Sequence, residues 1–246
     1  MRTVAEAAQQ VLLRPVPAES GAVRIAVRYI SATSRATIGG DLYEVIAAAD
    51  ATRFIIGDVQ GKGLAAVKLA STVLGAFREV APDTSDLAMI TARIEATLAR
   101  ELTDEQFVTA IVGQVSADGS KVELLNRGHP PPLLMDGEGP RLLETAEGGL
   151  PLGLAQFAAR PGQAAAAGRA SVVEVGPGDR ILFYTDGVSE ARSRSGEFFP
   201  LTECPAVREA GDPDQILDAL STAVLRHVGH ALDDDAAMLL IRREPA

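Results

Sequence analysis

The sequence predicts an α+β fold, an antiparallel sandwich with helices packed on it. Two observations carry that expectation. Most of the apolar, β-rich runs come in pairs around short Gly- and Asp-containing turns, which reads as hairpins. The two long helical patterns are consecutive and do not alternate with strands, as they would in a parallel doubly wound sheet.

Residues 3–14 read as a short amphipathic helix with Val4, Ala7, Ala8, Val11 and Leu12 on one face, ended by Pro15 and Pro17. Two readings stay open: a terminal helix packed on the core, or a linker or dimerisation helix. Residues 1–17 are therefore set apart from a catalytic domain over 18–246. Val23–Tyr29 alternates apolar residues with Arg24 and Arg28, as a strand does. Asp41–Ala48 and Arg53–Val59 flank the turn-like Asp50-Ala51-Thr52 and read as a hairpin that brings Asp41 and Asp58 to one end of adjacent strands. A helix starts at Gly63, with Leu64, Val67, Leu69, Val73, Leu74 and Phe77 at roughly helical spacing. Pro82-Asp83-Thr84-Ser85 breaks it and caps a second helix running to about Leu102.

Two further hairpins follow: Phe107–Val115 with Lys121–Asn126, and Leu133–Met135 with Arg141–Leu143. Residues 145–170, rich in Gly, Ala and Pro, read as a loop or flap. Ser171–Val175 and Arg180–Tyr184 are strands joined by Gly176-Pro177-Gly178-Asp179, Asp214–Val228 is a helix, and Ala236–Arg242 is a buried final strand. There is no repeat and no sign of a second folded domain.

Composition excludes several function classes. At 246 residues and 47% hydrophobic the chain can bury a sizeable core. A formal charge of −10 argues against nucleic-acid binding, which needs Lys and Arg for the phosphates. The single Cys204 excludes an internal disulfide framework and a cysteine-based zinc site. No signal-peptide pattern opens the sequence, and no run of about 18 uncharged apolar residues is long enough to span a bilayer. The expected location is the cytoplasm.

Three segments pair aspartate with glycine beside apolar runs: Gly39-Gly40-Asp41-Leu42-Tyr43, Gly57-Asp58-Val59-Gln60-Gly61-Lys62-Gly63 and Tyr184-Thr185-Asp186-Gly187-Val188. A fourth acidic cluster, Asp233-Asp234-Asp235, leads into the last strand. Any one of these aspartates is as readily a turn former or a helix cap. As a set at strand ends they read as oxygen ligands of a hard cation, Mg²⁺ or Mn²⁺, which would offset carboxylates too costly to bury ionised and unpaired.

With Asn126-Arg127-Gly128-His129-Pro130-Pro131-Pro132, Gly148-Gly149-Leu150-Pro151-Leu152-Gly153-Leu154 and Asp234-Asp235-Ala236-Ala237-Met238-Leu239-Leu240, these segments, in order, resemble the SpoIIE-like branch of the metal-dependent PPM Ser/Thr protein phosphatases. The resemblance covers roughly residues 10–243 and implies a PPM-type α-β-β-α sandwich of two antiparallel sheets flanked by helices. It implies two Mn²⁺ or Mg²⁺ ions, with Asp58 shared by both, the Val59 backbone carbonyl on one, Asp186 and Asp234 on the other, and Asp41 binding directly or through water. A water acidified between the ions would attack phosphorus in line. The implied activity is hydrolysis of phosphoserine or phosphothreonine. The implied substrate is a phosphorylated STAS-domain anti-anti-sigma factor in a partner-switching pathway that controls a sigma factor. The N-terminal helix then resembles a linker to a sensor, and a homodimer through it is a further expectation.

Departures from the family pattern matter. Many PPM phosphatases carry a histidine, a suspected proton donor, two residues after the bridging aspartate; here it is Gln60. Lys62 stands where many SpoIIE-like relatives have histidine, and reads either as a phosphate-steering cation or as a solvated helix-start residue. His129 reads as a structural turn histidine, His227 and His230 as surface residues, Cys204 as inert packing, and Arg35 as a phosphate-binding candidate. The main rival is a non-catalytic PPM-like regulatory binding module, which loss of the metal aspartates would favour. Gly39-Gly40-Asp41 also resembles the diguanylate cyclase loop, but Leu42-Tyr43 replaces its Glu-Phe and the other segments have no place in it.

Overall fold

The computed structural model describes residues 12–32, 39–102, 106–145, 149–154, 168–209 and 211–245. Two antiparallel sheets lie face to face. The first contains β1 (Glu19–Ser20), β2 (Val23–Ile30), β7 (Leu133–Asp136), β8 (Gly139–Leu142), β10 (Arg180–Tyr184) and β11 (Ala236–Arg243), in the order β1-β2-β11-β10-β7-β8. The second contains β3 (Leu42–Ala47), β4 (Ala51–Val59), β5 (Val108–Ser116), β6 (Lys121–Arg127) and β9 (Ser171–Glu174), in the order β3-β4-β5-β6-β9. Helices α1 (Leu64–Val80) and α2 (Leu87–Leu98) cover the second sheet, and α5 (Pro213–Val228) covers the first. Short helices α3 (Asp186–Ser189) and α4 (Pro205–Arg208) complete the described elements, with a 3-10 turn at Leu201–Glu203.

Three apolar layers hold this α-β-β-α stack together. Between the sheets, alternate residues of each strand interdigitate: Phe54, Ile56, Ile111 and Leu124 meet Phe183, Leu239 and Ile241. The Phe54 and Phe183 rings sit 4.7 Å apart across this layer. Gly113 makes room for them, since a Cβ there would lie 2.3 Å from Phe54 Cζ. Ile55, Val112 and Leu125 on the other face of the second sheet pack on Leu69, Val73, Phe77, Ile90 and Ile94 of α1 and α2. Leu182, Met238 and Leu240 pack on Leu217, Leu220 and Val224 of α5. The two buried faces explain why β10 and β11 read as continuous apolar runs.

Helix boundaries follow local chemistry. The Asp86 side chain accepts from the Ala88 and Met89 amides and starts α2, which ends at Leu98 and does not reach Leu102. Asp212 caps α5, Pro213 occupies its first position, and Gly229 closes it at φ 67°. Leu64, expected on the buried face of α1, is 73% exposed.

The β3–β4 hairpin forms as expected, but its turn lies at Ala48-Ala49-Asp50, closed by the Ala48 amide donating to the Ala51 carbonyl. Ala51 and Thr52 belong to β4 because β5 pairs with them. Gly176-Pro177-Gly178-Asp179 does not close a hairpin: it carries the chain from β9 in one sheet to β10 in the other. The expected helix over 3–14 lies almost wholly outside the described residues. At its end, Leu12 and Leu13 pack against the α1–α2 layer and the Leu12 carbonyl accepts from Arg78.

Candidate active site

The site lies at one end of the sandwich, where strands from both sheets stop. Leu42 pairs with Gly57, so Asp41 and Asp58 stand side by side at the end of the β3–β4 hairpin. The close approach depends on Gly40, where a Cβ would meet the Val59 carbonyl oxygen at 2.3 Å and Asp58 Oδ1 at 2.8 Å. The Val59 amide donates to the Gly40 carbonyl at 3.2 Å, and the Gln60 amide, in the peptide that carries the Val59 oxygen, donates to the Phe107 carbonyl at 3.0 Å.

Asp186 comes from the other sheet. It opens α3 directly after β10, with Thr185 at the N-cap. The buried Thr185 hydroxyl donates to Asp41 Oδ2 at 2.8 Å and accepts from the Ala237 amide at 2.9 Å. One side chain thus ties β10 and β11 to the β3 aspartate.

The acidic run before β11 divides its work. Asp235 is buried and points inward, accepting from the Tyr29 hydroxyl and the Ala32 amide, each at 2.5 Å. It packs so tightly that a Cβ on Gly39 would lie 1.9 Å from its Oδ2, and one on Gly187 1.9 Å from its carbonyl oxygen. Asp234 points into the cleft, with Oδ2 3.1 Å from Lys62 Nζ. Asp233 offers its carbonyl to the same ammonium at 2.9 Å.

Asp58, Asp186 and Asp234 line one cavity of about 500 Å³ with Gln60 and His129. Asp186 and Asp234 also line an adjoining one of about 340 Å³ with Lys62 and Arg192. Burial is the main force on the acids. It holds Asp41 well above the usual carboxylate range, helped by the charge of Asp58. Asp58 is pushed up to about 7 by burial and by Asp186 and Asp234, and Asp186 is raised by burial and by Asp234.

Crowded, part-buried oxygen donors that resist ionisation are what a hard divalent cation relieves, so the donor set fits Mg²⁺ or Mn²⁺ chemically. Among the described residues, no three acidic, imidazole or thiolate groups already stand close enough to form a preassembled ligand set. Asp234 is shared with Lys62.

His129 behaves as a structural histidine. The Asn126 side chain accepts from its amide at 2.8 Å and donates to its carbonyl at 3.0 Å. The imidazole Nδ1 meets the Thr109 hydroxyl at 3.0 Å. Its Nε2 makes no well-formed hydrogen bond among the described residues, the Tyr184 backbone being a weak partner. Burial lowers its pKa to about 3, so it is neutral. Gln60 is exposed at the cavity mouth. His230 is exposed, His227 is half-buried with its ring edge-on to Phe199 at 5.5 Å between centroids, and Cys204 is buried among apolar side chains. Arg35 lies outside the described residues. Sequence reasoning did not single out Thr185, Glu190 or Arg192. Thr185 stood inside a quoted motif, but its partner is 144 residues away, and the other two border no strand.

The family model for stage II sporulation protein E (SpoIIE) matches residues 48–244. The chain belongs to the SpoIIE family. Asp58, Asp186 and Asp234 fall within the matched span, and Asp41 precedes it. The fold is that of the PPM phosphatases. The RsbU and RsbW domains of Rv1364c from Mycobacterium tuberculosis align with a TM-score of 0.78 at 25% identity, covering 96% of this chain and 64% of that one. The PP2C phosphatase domain and regulatory fragment of SpoIIE from Bacillus subtilis align with a TM-score of 0.74 at 19% identity, covering 91% and 64%. The catalytic domain of the phosphatase PstP in complex with two manganese ions aligns with a TM-score of 0.62 at 16% identity, covering 91% and 99%. Protein IcfG of Synechocystis is 26% identical over 144 residues, 56% of this chain but 21% of its own length. The chain thus spans less than two thirds of IcfG and of the RsbU–RsbW chain. Among the described residues no helix is long and apolar enough to cross a membrane.

Proposed function

We propose that this SpoIIE-family domain is a metal-dependent protein phosphatase that hydrolyses phosphoserine or phosphothreonine. The observation that carries the reading is that Asp58 of β4, Asp186 of α3 and Asp234 before β11 line one cleft, with Asp41 buried beside Asp58. In this reading Asp58, the Val59 carbonyl, Asp186 and Asp234 would hold two Mn²⁺ or Mg²⁺ ions, with Asp58 the donor common to both. When bound, the ions supply charge stabilisation for the phosphoryl oxygens and a more acidic water. Asp41 orients donors near Asp58, and Thr185 holds Asp41 in that orientation. Gln60 carries no titratable proton, so it can orient a leaving oxygen by hydrogen bonding but cannot act as its general acid. Neutral His129 lines the cleft and braces the start of β5 through the Thr109 hydroxyl.

The substrate class we favour is a phosphorylated STAS-domain anti-anti-sigma factor in a partner-switching pathway. Kinship with the SpoIIE family and the fold shared with an RsbU domain support it. Residues 1–17 we assign to a linker or dimerisation segment ahead of the phosphatase domain at 18–246. The decisive experiment is hydrolysis of an aryl phosphate, then of phosphorylated STAS proteins, by the purified chain with Mn²⁺, with Mg²⁺ and with excess chelator. Turnover that survives full chelation, or no turnover with either metal, rejects the reading.

A further inference from the structure

The cavity of about 340 Å³ beside Asp186 carries a charge pattern that hydrolysis alone does not explain. Its carboxylates are Asp186, Glu190, Asp233 and Asp234; its cations are Lys62 and Arg192. Lys62 is already engaged by Asp234 and by the Asp233 carbonyl. Arg192 is not ion-paired among the described residues. Its guanidinium carbon lies over the Phe198 ring, 3.9 Å from the centroid, and Nη1 donates to the Gly196 carbonyl at 3.2 Å. Nε and Nη2 make no hydrogen bond among the described residues.

The backbone holds this arginine in place. Arg192 and Phe198 face each other across an isolated antiparallel bridge. The Ser193 amide donates to the Glu197 carbonyl, and Gly196 turns the chain at φ 88°. Below the bridge, the Phe199 amide donates to the Ala191 carbonyl, and both residues are buried in the α5 layer. The result is a short, anchored hairpin with Arg192 and Phe198 at its exposed end. Phe198 is 51% exposed, so the cation–π contact holds the guanidinium without burying its charge.

We propose that Arg192 is a substrate-binding residue that engages the phosphoryl oxygens of the phosphoprotein, with Phe198 holding its guanidinium in position. The assignment rests on the phosphatase reading of the neighbouring aspartates. A carboxylate-lined cleft repels a phosphate dianion, and a guanidinium with two donor nitrogens unused is suited to oxygen anions. The same chemistry would suit a carboxylate on the phosphoprotein beside the phosphorylated residue, and the test separates the two.

Arg192→Gln, Arg192→Lys and Phe198→Leu are compared with wild type, using an aryl phosphate, a phosphoprotein substrate, and calorimetric titration of inorganic phosphate into the Mn²⁺-loaded protein. Arg192→Gln is expected to weaken phosphate binding and raise KM for the aryl phosphate about tenfold or more, with kcat and the thermal midpoint little changed. Arg192→Lys, which keeps the charge and loses the fork, falls between Gln and wild type, and it carries the test if Gln does not fold. Phe198→Leu gives a smaller loss of the same kind.

Unchanged phosphate affinity and KM in an otherwise active Arg192→Gln overturn the assignment. So does a KM rise confined to the phosphoprotein, which would place a flanking carboxylate at Arg192. A wild type that binds phosphate through Arg192 but hydrolyses nothing sinks the phosphatase reading and keeps this one. A wild type that neither binds nor hydrolyses rejects both.

Discussion

The Thr185 hydroxyl donates to Asp41 Oδ2 at 2.8 Å, joining the two sheets of the sandwich at the cleft. The same oxygen accepts from the Ala237 amide, so both sides of this contact are buried backbone or carboxylate. Thr185→Val keeps the shape and removes both hydrogen bonds. Leaving those groups unsatisfied costs about 1–3 kcal/mol. Denaturant unfolding of the variant is expected to show that loss, with weaker Mn²⁺ binding by calorimetry; Thr185→Ser is expected to recover both. Wild-type metal affinity in Thr185→Val would confine Thr185 to a structural role.

In the proposed reading Asp58 would serve both ions, so its charge would matter most. Asp58→Asn is expected to lower kcat by about 10²-fold or more, as losing a principal electrostatic group does in other enzymes. Asp186→Asn and Asp234→Asn are expected to follow. Near-normal turnover in a folded Asp58→Asn would mean that the catalytic centre has been placed wrongly.

The three aspartates before β11 are expected to separate by experiment as they do in space. Asp235→Asn leaves one of two acceptor contacts, with Tyr29 or Ala32, poorly satisfied. It is expected to lower stability by about 1–3 kcal/mol. Asp234→Asn is expected to weaken metal binding with little loss of stability, because its side chain is 48% exposed. Asp233→Asn is expected to change neither by much. A larger metal-affinity loss for Asp233→Asn than for Asp234→Asn would shift the register by one residue.

The raised acids give the protein a pH signature. The folded-state pKa of Asp58 is about 7 against an ordinary 3.8, so folding favours its protonated form. That contribution to stability is fully present below about pH 4 and is lost as pH rises through about 7. Asp41 and Asp186 are raised too and act in the same direction. In excess chelator, urea midpoints are expected to fall between pH 5 and pH 8. Mn²⁺ is expected to stabilise more at pH 8 than at pH 5, because cation binding releases these protons. A chelated protein more stable at pH 8 than at pH 5 contradicts the assignment.

The sequence made some of this site legible and hid the rest for physical reasons. The β3–β4 hairpin was readable because alternation and a polar turn report local pairing, and it placed Asp41 beside Asp58. The turn moved by two residues because β5, far along the chain, recruits Ala51 and Thr52 into pairing. The Gly176–Asp179 connection carries the same turn residues whether it closes a hairpin or crosses between sheets, and only β6 decides which. Leu64 fits the helical period, yet as the first residue of α1 it stays exposed. Thr185 and Asp235 act through partners from distant strands, so no local pattern marks them.

The N-terminal segment is the last test. The Leu12 carbonyl accepts from Arg78 at the end of α1, and Arg78 also pairs with the buried Glu44 of β3, three residues beyond Asp41. Leu12 and Leu13 pack on the apolar layer beneath α1. A physical path therefore runs from the start of the chain through Arg78 to the strand that carries Asp41. If the segment is regulatory, deleting residues 1–14 is expected to change the Mn²⁺ concentration for half-maximal activity by severalfold, with a small change in thermal midpoint. Arg78→Gln, which keeps residues 1–14 but loses the ion pair with Glu44 and the hydrogen bond to the Leu12 carbonyl, is expected to shift metal dependence in the same direction. A large fall in midpoint with unchanged metal dependence in both variants would make residues 1–14 a structural cap.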